Sequence, residues 1–519
     1  MLDTVIVGGG LCGLSLADSL HHAGRSFALF EARTRLGGRI LSRPCAVSGM
    51  TVDLGPTWFW PDAQPRMLEL IESLQLEHFL QHDSGTVLRM TDPNSAAEKL
   101  QVGVHGGAHR VADGMGALVT ALAQRLPQEA IHLGHALTAL EDKGDHVVLQ
   151  FRQGEHDDAP AIIIEARRVV LALPPRLLAE RVDFTPELDA AVMQAMRNTH
   201  TWMADQAKAV MGYAKTFWRQ DGNSGNAFVN HPQAVLAEVF DASDATAEHA
   251  ALGGFAAMTA EQRAAYKMGM PMLLESQLAQ LFGVAAQDGE LHYQDWAAEP
   301  YTCATLDLTP PNGHPVYGSR HLRDAHWNGK LLLGGAETAT HAGGYLEGAL
   351  EAAGRLGRML STSAVLGSLN ADNNASLSRF GSWVAAQRSQ VLSRYRSHLN
   401  RSMASQYKEQ LTQRALLDTV EQMYGEALQQ LDSLPLNTRD VAVDKGRSAL
   451  TPAVLAQFNG INQDLVEAAL EFNRGSCAIS NFPDEHEPAP DYQEAIRLDL
   501  LAAWREFALS VNDTLLARQ

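Results

Sequence analysis

The chain has few cysteines, fewer basic than acidic residues, and no long hydrophobic run. Its 519 residues include four cysteines, which lie far apart without the spacing of disulfide pairs or metal ligands. We therefore expect reduced, structural thiols, no metal site and a cytoplasmic location. Lysine and arginine number 41 against 60 acidic residues, giving a formal net charge of −19. This balance disfavours nucleic-acid partners, which require a basic face.

Targeting signals, internal repeats and heptads are also missing from the sequence. The first predicted strand starts by Thr4, which leaves no room for a signal peptide, and no apolar run is long enough to span a bilayer. We expect a soluble protein without a membrane partner. A chain of 519 residues can bury a large core and form two or three domains.

The most informative segment lies near the start of the chain. Residues 5–14 have the sequence Val-Ile-Val-Gly-Gly-Gly-Leu-Cys-Gly-Leu, which predicts a buried strand, a glycine turn and a helix start. Gly8 permits the tight turn, Gly10 lets the backbone approach a pyrophosphate, and Gly13 lets the helix lie close to the strand. The next predicted strand ends at Glu31, at the distance where an acidic side chain binds a ribose. The pattern predicts a dinucleotide-binding site.

Two further glycine-rich segments narrow the choice of dinucleotide. Arg33 is followed by Leu-Gly-Gly-Arg at residues 36–39, and a second phosphate contact of this kind suits FAD. Residues 330–349 then repeat the order of strand, glycine-rich loop, acidic residue and helix, with Gly343 and Gly344 opening the helix. For the first motif the alternative is a glycine turn in another α/β protein, and for residues 36–39 it is a glycine turn with solvent-exposed arginines.

Together these motifs resemble the flavin amine oxidase family, the monoamine oxidases and their bacterial relatives. The resemblance covers residues 3–360 and includes three further segments in family order, residues 52–55, 111–116 and 169–175. It implies an α/β fold, with a Rossmann-type FAD-binding domain, an interleaved α+β substrate domain and a C-terminal α-helical extension.

The domains expected from this resemblance are discontinuous. The FAD-binding parts are residues 1–85, 111–197 and 296–361; the substrate domain comprises a short excursion at 86–110 and residues 198–295; the helical extension is 362–519. Strands are expected at residues 211–213 and 217–218, and helices between 260 and 281. The extension either caps the active site or is an oligomerisation or appended helical domain, so a homo-oligomer stays open. A truncation near residue 362 that remained soluble and fully active would exclude the cap.

The resemblance implies that FAD is the cofactor. In monoamine oxidases the residue four after a tyrosine is a cysteine bonded to the flavin, whereas here Tyr301 is followed by Thr305 at that position. We therefore expect non-covalent FAD. The expected cofactor-binding residues are Gly8, Gly10, Leu11, Cys12, Gly13, Glu31, Ala32, Arg33, Gly38, Arg39, Gly55, Pro56, Thr57, Trp296, Gly335, Glu337, Gly344, Tyr345 and Leu346.

Two residues are expected to act at the reacting centre. Lys208 stands ten residues before Trp218, and in the family a lysine so placed reaches flavin N5 through a water. Such a lysine orients water and assists flavin reoxidation; a surface lysine is the alternative. Tyr345 falls where the family places one wall of its aromatic cage.

The implied activity is FAD-dependent oxidation of primary amines. Hydride passes from the amine α-carbon to flavin N5, and O2 is the acceptor, giving aldehyde, ammonia and hydrogen peroxide. Trp58 stands where related amino acid oxidases place an arginine, and a buried carboxylate there would lack a partner, which favours apolar or aryl amines. The expected substrate-binding residues are Trp58, Trp60, Trp202, Tyr301 and Leu306.

Two alternatives to this activity remain. Arg66 and Arg110 keep an L-amino acid oxidase of the same superfamily open, because either side chain is able to pair with a carboxylate. A flavoprotein desaturase, or a flavin-binding protein without oxidase activity, is the second alternative.

Overall fold

The computed structural model describes residues 1–153, 161–309, 315–368, 371–404, 410–438, 441, 443–444, 446–476, 479 and 482–518. These residues form two compact units, Met1–Gly357 and Arg358–Gln519. The mixture of sheets and helices agrees with the predicted α/β class. The domain boundaries expected within the chain stay predictions.

The larger sheet carries the first glycine motif. In the described residues it has nine strands. Its path runs through Asp183–Thr185, His135–Asp142, Val147–Gln153, Ile162–Leu171, Leu2–Val7, Phe27–Glu31 and Ile131–Leu133, with Leu331–Leu333 beside Ile162–Leu171 and Ala325–His326 beside Leu331–Leu333.

Parallel strands of this sheet end in register at one edge. Val7 pairs with both Phe30 and Leu171, and Leu171 pairs with Leu333. All four side chains are buried, as expected for parallel strands covered on both faces. The loops that follow these strands therefore meet at the carboxyl edge, where doubly wound sheets bind their ligands.

A second sheet, with seven strands in the described residues, carries Lys208. Its order is Glu290–Asp295, Ala207–Tyr213, Ala250–Ala256, Leu236–Asp241, Asn223–Val229, Thr86–Met90 and Glu98–Leu100. The short excursion at residues 86–110 thus supplies two strands of this sheet. Smaller hairpins pair Ser42–Pro44 with Thr51–Asp53 and His78–Leu80 with His109–Val111.

The first unit contains both long helices and short helical turns. They are Leu11–His22, Pro65–Ser73, Gly116–Arg125, Pro175–Arg181, Ala190–Asn198, Phe217–Gln220, Ala260–Ala265, Met270–Phe282, Arg320–Arg323 and the beginning of Leu346–Ser368.

The strand expected at residues 217–218 is wrong. These residues begin the short helix Phe217–Gln220, and both rings are buried. The helical turn aims the Trp218 Nε1–H at Asp241, 2.9 Å away, an interaction between distant segments that local apolar character does not reveal.

The second unit is helical and has its own apolar core. Leu411–Ser433 packs against Val391–Ala404, Ile461–Gly475 and Pro490–Leu516. The Glu485 carboxylate accepts hydrogen bonds from the Leu411 and Thr412 amides, where negative charge stabilises a helix N-terminus. The remaining helices are Ala371–Arg388, Thr451–Ala456 and Pro483–His486, with a hairpin of Val443–Asp444 and Arg447–Ser448. Among all described residues, no helix has the length and apolar content needed to cross a bilayer.

The close approach at Gly13 generates a stability prediction. A Cβ on Gly13 would lie 1.9 Å from the Gly8 carbonyl oxygen, whereas a Cβ on Gly357 would meet nothing closer than the Ser19 hydroxyl at 3.6 Å. Gly13→Ala should therefore lower the free energy of unfolding by about 1–3 kcal/mol. Gly357→Ala, also within a helix, should raise it by about 0.5–1 kcal/mol. Urea unfolding of both variants checks this, and equal effects would contradict the packing role of Gly13.

Candidate active site

A cavity of about 860 Å³ lies at the carboxyl edge of the nine-stranded sheet and reaches Lys208 on the seven-stranded sheet. Every residue expected to bind cofactor or substrate, or to act in catalysis, lines this cavity except Gly13, Glu337 and Leu306. The structure thus gathers residues from across more than 330 positions of the chain, from Gly8 to Leu346, around one space.

The glycine turn has the geometry that the sequence predicts. Gly8 has a φ of +109°, and a Cβ there would lie 2.4 Å from the Ala172 carbonyl oxygen. Beside Gly10, by contrast, a Cβ would meet no atom nearer than the Gly38 Cα at 3.9 Å. Gly8 and Gly13 therefore serve packing, while the backbone at Gly10 is left open to the cavity.

Glu31 is fixed in place at the end of its strand. Its Oε2 accepts the Gly9 amide at 2.8 Å, and its Oε1 accepts the Arg33 amide at 2.9 Å. The carboxylate is buried and lines the cavity. Its two backbone bonds hold it as an oriented acceptor beside the glycine turn.

The two arginines near the first motif bind carboxylates of distant segments. Arg33 donates to Glu299 at 2.7 Å and to the Thr302 hydroxyl at 2.8 Å. Arg39 forms a bidentate pair with Glu337, at 2.6 and 3.0 Å. Both arginines also line the cavity, so each joins two parts of the chain at its wall.

Glu337 lies behind the cavity wall. Its side chain is fully buried, and besides pairing with Arg39 it accepts the Trp202 amide at 3.2 Å. Glu337 therefore orients an arginine and a backbone amide from behind the wall, and its expected contact with the cofactor stays a prediction.

Lys208 is buried and lines the cavity. Its Nζ donates to the Gly55 carbonyl at 2.8 Å and to the Thr57 hydroxyl. It also lies over the rings of Phe240 and Phe255, at 5.3 and 5.5 Å from their centroids. Burial lowers the pKa of Lys208 to about 7, against the opposing attraction of buried Asp53. The lysine is therefore able to hold or release a proton near neutral pH.

Aromatic side chains form much of the remaining wall. The rings of Trp202 and Tyr345 lie 5.6 Å apart and are tilted by 44°. Trp58 packs against Phe240 at 4.6 Å and donates its Nε1–H to Gln81. Together with Trp60, these residues make an apolar region beside Lys208.

Leu306 does not belong to this wall. It lies on the 3₁₀ turn Thr305–Leu308, is 53% exposed, and does not line the cavity. Tyr301, Thr302 and Pro300 supply the wall on that side. The turn carries the chain away from the cavity directly after Thr302, which spacing from Tyr301 alone does not reveal.

The two arginines that kept amino acid oxidation open are bound elsewhere. Arg66 pairs with Glu347 at 2.9 Å, and buried Arg110 donates to the carbonyls of Ala242 and Ser243. Neither arginine lines the cavity. A substrate carboxylate would therefore find neither of them as its partner.

Sequence reasoning missed several cavity residues. Phe255 pairs with Lys208 across neighbouring strands, and Glu238 pairs with Phe255 on the next strand. Only the strand register brings these three together.

Cys12 was expected at the cofactor, and its Sγ also accepts the Gly335 amide at 3.4 Å, which links the two glycine motifs. Burial raises the pKa of its thiol to about 11.

A cluster of one cysteine, one glutamate and one histidine lies outside the cavity. The positions of these residues in the sequence did not reveal it. The potential ligand atoms of Cys45, Glu290 and His292 lie within 4.8 Å of one another. Glu290 accepts the Cys45 thiol at 3.5 Å and the Val47 amide at 2.9 Å, so the group forms a hydrogen-bonded cluster.

Comparison with known proteins finds similar sequences. The family model described as flavin containing amine oxidoreductase matches residues 11–101 and 95–356. The chain is 24% identical to pig amine oxidase [flavin-containing] B over 465 residues, covering 69% of this chain and 85% of that protein. It is also 24% identical to putrescine oxidase of Kocuria rosea over 484 residues, covering 70% of this chain and 95% of that protein.

Solved structures share the fold. A double mutant of putrescine oxidase aligns with a TM-score of 0.57 and 19% identity, covering 69% of this chain and 98% of that one. Cyclohexylamine oxidase from Brevibacterium oxydans IH-35A aligns with a TM-score of 0.57 and 18% identity, covering 70% and 99%. These alignments confirm the predicted α/β FAD-binding fold.

The buried lysine generates a pH-dependent prediction. Between pH 7 and 10.5 the unfolded chain keeps a proton on Lys208 that the folded chain has released. The stability contribution of this group therefore rises with pH in that window, by up to about 1.4 kcal/mol per pH unit. Lys208→Met removes the titrating group. The free energy of unfolding of the variant minus that of the wild type should therefore be largest below pH 7 and should decrease toward pH 10.

Urea unfolding at a series of pH values measures this difference. Lys215→Met is the matched control, because Lys215 is exposed on the same segment and its substitution should give a difference that does not change with pH. A pH-independent difference for Lys208→Met as well would show that Lys208 keeps its ordinary pKa.

Proposed function

The chain belongs to the flavin containing amine oxidoreductases, and from this premise we propose that it is an oxidase of primary amines that uses FAD and O2. The observation that carries the proposal is that buried Lys208 and both dinucleotide-binding motifs line one cavity. Bound FAD supplies the redox chemistry, namely hydride acceptance from the amine α-carbon and electron delivery to O2, with aldehyde, ammonia and hydrogen peroxide as products.

The residues present fit FAD. The backbone at Gly10 is open to the cavity, and the N-terminus of Leu11–His22 starts beside it, which suits a pyrophosphate. Glu31 is an oriented acceptor that suits a ribose hydroxyl. Arg33 and Arg39 add positive charge to the wall. We assign the dinucleotide end to these residues and the flavin end to the region of Lys208, Trp296 and Tyr345.

We propose that FAD is held without a covalent bond. Thr305 occupies the position at which the monoamine oxidases have their flavin-linked cysteine. Cys303, two positions earlier, is buried and does not line the cavity, and burial raises the pKa of its thiol to about 12. A neutral buried thiol of this kind is a poor nucleophile.

Lys208 positions water and a proton in the proposed reaction. Its Nζ is anchored on Gly55 and Thr57, which also line the cavity. With a pKa of about 7, it is able to donate a hydrogen bond to a water and to exchange a proton at neutral pH. The neighbouring rings of Phe240 and Phe255 exclude bulk water, and a dry site favours the uncharged, reactive form of the amine.

The cavity wall favours amines over amino acids. Trp58, Trp60, Trp202 and Tyr345 offer apolar surface to the substrate. A carboxylate buried against these rings would cost several kcal/mol without a partner, and Arg66 and Arg110 are bound elsewhere.

A peroxide-coupled panel of amines tests the proposal. Purified holoenzyme should produce hydrogen peroxide with primary amines and not with L-amino acids. Lys208→Met should keep its bound flavin, while reoxidation of the reduced flavin by O2 slows about 10- to 100-fold, because the group that orients water is lost. Stopped-flow absorbance after anaerobic reduction measures that step.

The exposed Lys215→Met is the control for this experiment and should react with O2 like the wild type. Peroxide from amino acids alone would refute the substrate class, and an unchanged reoxidation rate in Lys208→Met would refute the role of the lysine.

A further inference from the structure

Glu238 occupies a defined position relative to the reacting centre. It lies on Leu236–Asp241 and pairs with Phe255 of Ala250–Ala256, which in turn pairs with Lys208. Paired residues of neighbouring strands project from the same face of a sheet. The three side chains therefore form one row along the cavity wall, with Glu238 and Lys208 two strand spacings, about 10 Å, apart.

This carboxylate differs from Glu31, which also lines the cavity, and from Glu337 behind the cavity wall. Glu31 is held by the backbone amides of Gly9 and Arg33, and Glu337 pairs with Arg39. Among the described residues Glu238 has no hydrogen-bond or ion-pair partner. It is half-buried and lines the cavity. Partly burying a charged carboxylate without a partner costs free energy, and a cation bound beside it would offset that cost.

Burial raises the pKa of the Glu238 carboxyl. A cation brought next to Glu238 would lower that pKa again and restore the charged form. The ring of Phe255 lies between Glu238 and Lys208 in the row and offers apolar surface for a methylene chain that joins two amino groups.

We propose that Glu238 binds a second, protonated amino group at the far end of the substrate, so that α,ω-diamines are preferred over monoamines. This inference rests on the proposed function and specifies its substrate class. One amino group reacts beside Lys208 while the other pairs with Glu238 across the width of two strands.

Matched substrates test the inference on the holoenzyme. The kcat/KM values of 1,4-diaminobutane and 1,5-diaminopentane are compared with those of 1-aminobutane and 1-aminopentane. Glu238→Gln keeps the shape and removes the charge, so the diamine values should fall about 10- to 100-fold, as expected for losing a charged hydrogen bond. The monoamine values should fall much less, so that the ratio of diamine to monoamine kcat/KM decreases, and Glu238→Asp should keep part of the preference. Glu98→Gln, at an exposed carboxylate of the same sheet, is the control and should behave like wild type.

A binding measurement separates this inference from the proposed function. Calorimetric titration of the holoenzyme uses 1,4-diguanidinobutane and 1-guanidinobutane, whose guanidinium groups stay protonated. The dication should bind about 10- to 100-fold more tightly than the monocation in wild type, and equally in Glu238→Gln.

The turnover and binding experiments together distinguish failure of the diamine site from failure of the oxidase function. If amines are oxidised but Glu238→Gln lowers diamine and monoamine turnover equally, the diamine site is overturned and the proposed function stands. If no amine is oxidised while the dication preference depends on Glu238, the cation site stands and the oxidase function is overturned. If turnover and binding both fail to distinguish two charges from one, the diamine site is overturned.

Discussion

The bidentate ion pair between Arg39 and Glu337 is the interaction on which the site depends. The two residues lie 298 positions apart, with Arg39 at the end of the glycine-rich segment 36–39 and Glu337 within residues 330–349. Glu337 is fully buried and also accepts the Trp202 amide. Removing one partner of a buried pair leaves an uncompensated charge, at a cost of about 3–5 kcal/mol. The pair therefore fixes both motifs and one aromatic wall in a single arrangement.

Much of the cofactor end could be predicted because its signals are local. Gly8, Gly10 and Gly13 have fixed spacing in the sequence. Gly8 and Gly13 are tightly packed, as their positions predict, and the backbone at Gly10 is open to the cavity. Glu31 ends the strand that the pattern places after the first helix. Lys208 and Tyr345 were identified through motifs that a resemblance supplies, and both line the cavity. Their chemical roles remain predictions.

The substrate end could be predicted only in part because it depends on contacts between distant strands. Glu238 and Phe255 have no local signal, and only the register of three strands places them in a row with Lys208. Phe217 and Trp218 form a helical turn from which the indole reaches Asp241 at the end of the distant strand Leu236–Asp241. Leu306 lies outside the cavity for a similar reason, since the chain turns away after Thr302. The second unit is helical with its own core, and the proposed cap role stays a prediction.

Titration of the apoprotein with FAD, followed by flavin fluorescence, tests most directly whether the two motifs form one cofactor site. Wild type should bind one FAD per chain, and denaturation should release it intact, because no covalent bond is expected. Glu337→Gln should weaken FAD binding about 10-fold or more, since Arg39 and Trp202 lose their shared partner. Glu347→Gln, which breaks the Arg66 pair away from the cavity, should leave the affinity unchanged. A chain that binds no FAD, or a Glu337→Gln variant that binds it like wild type, would contradict the account.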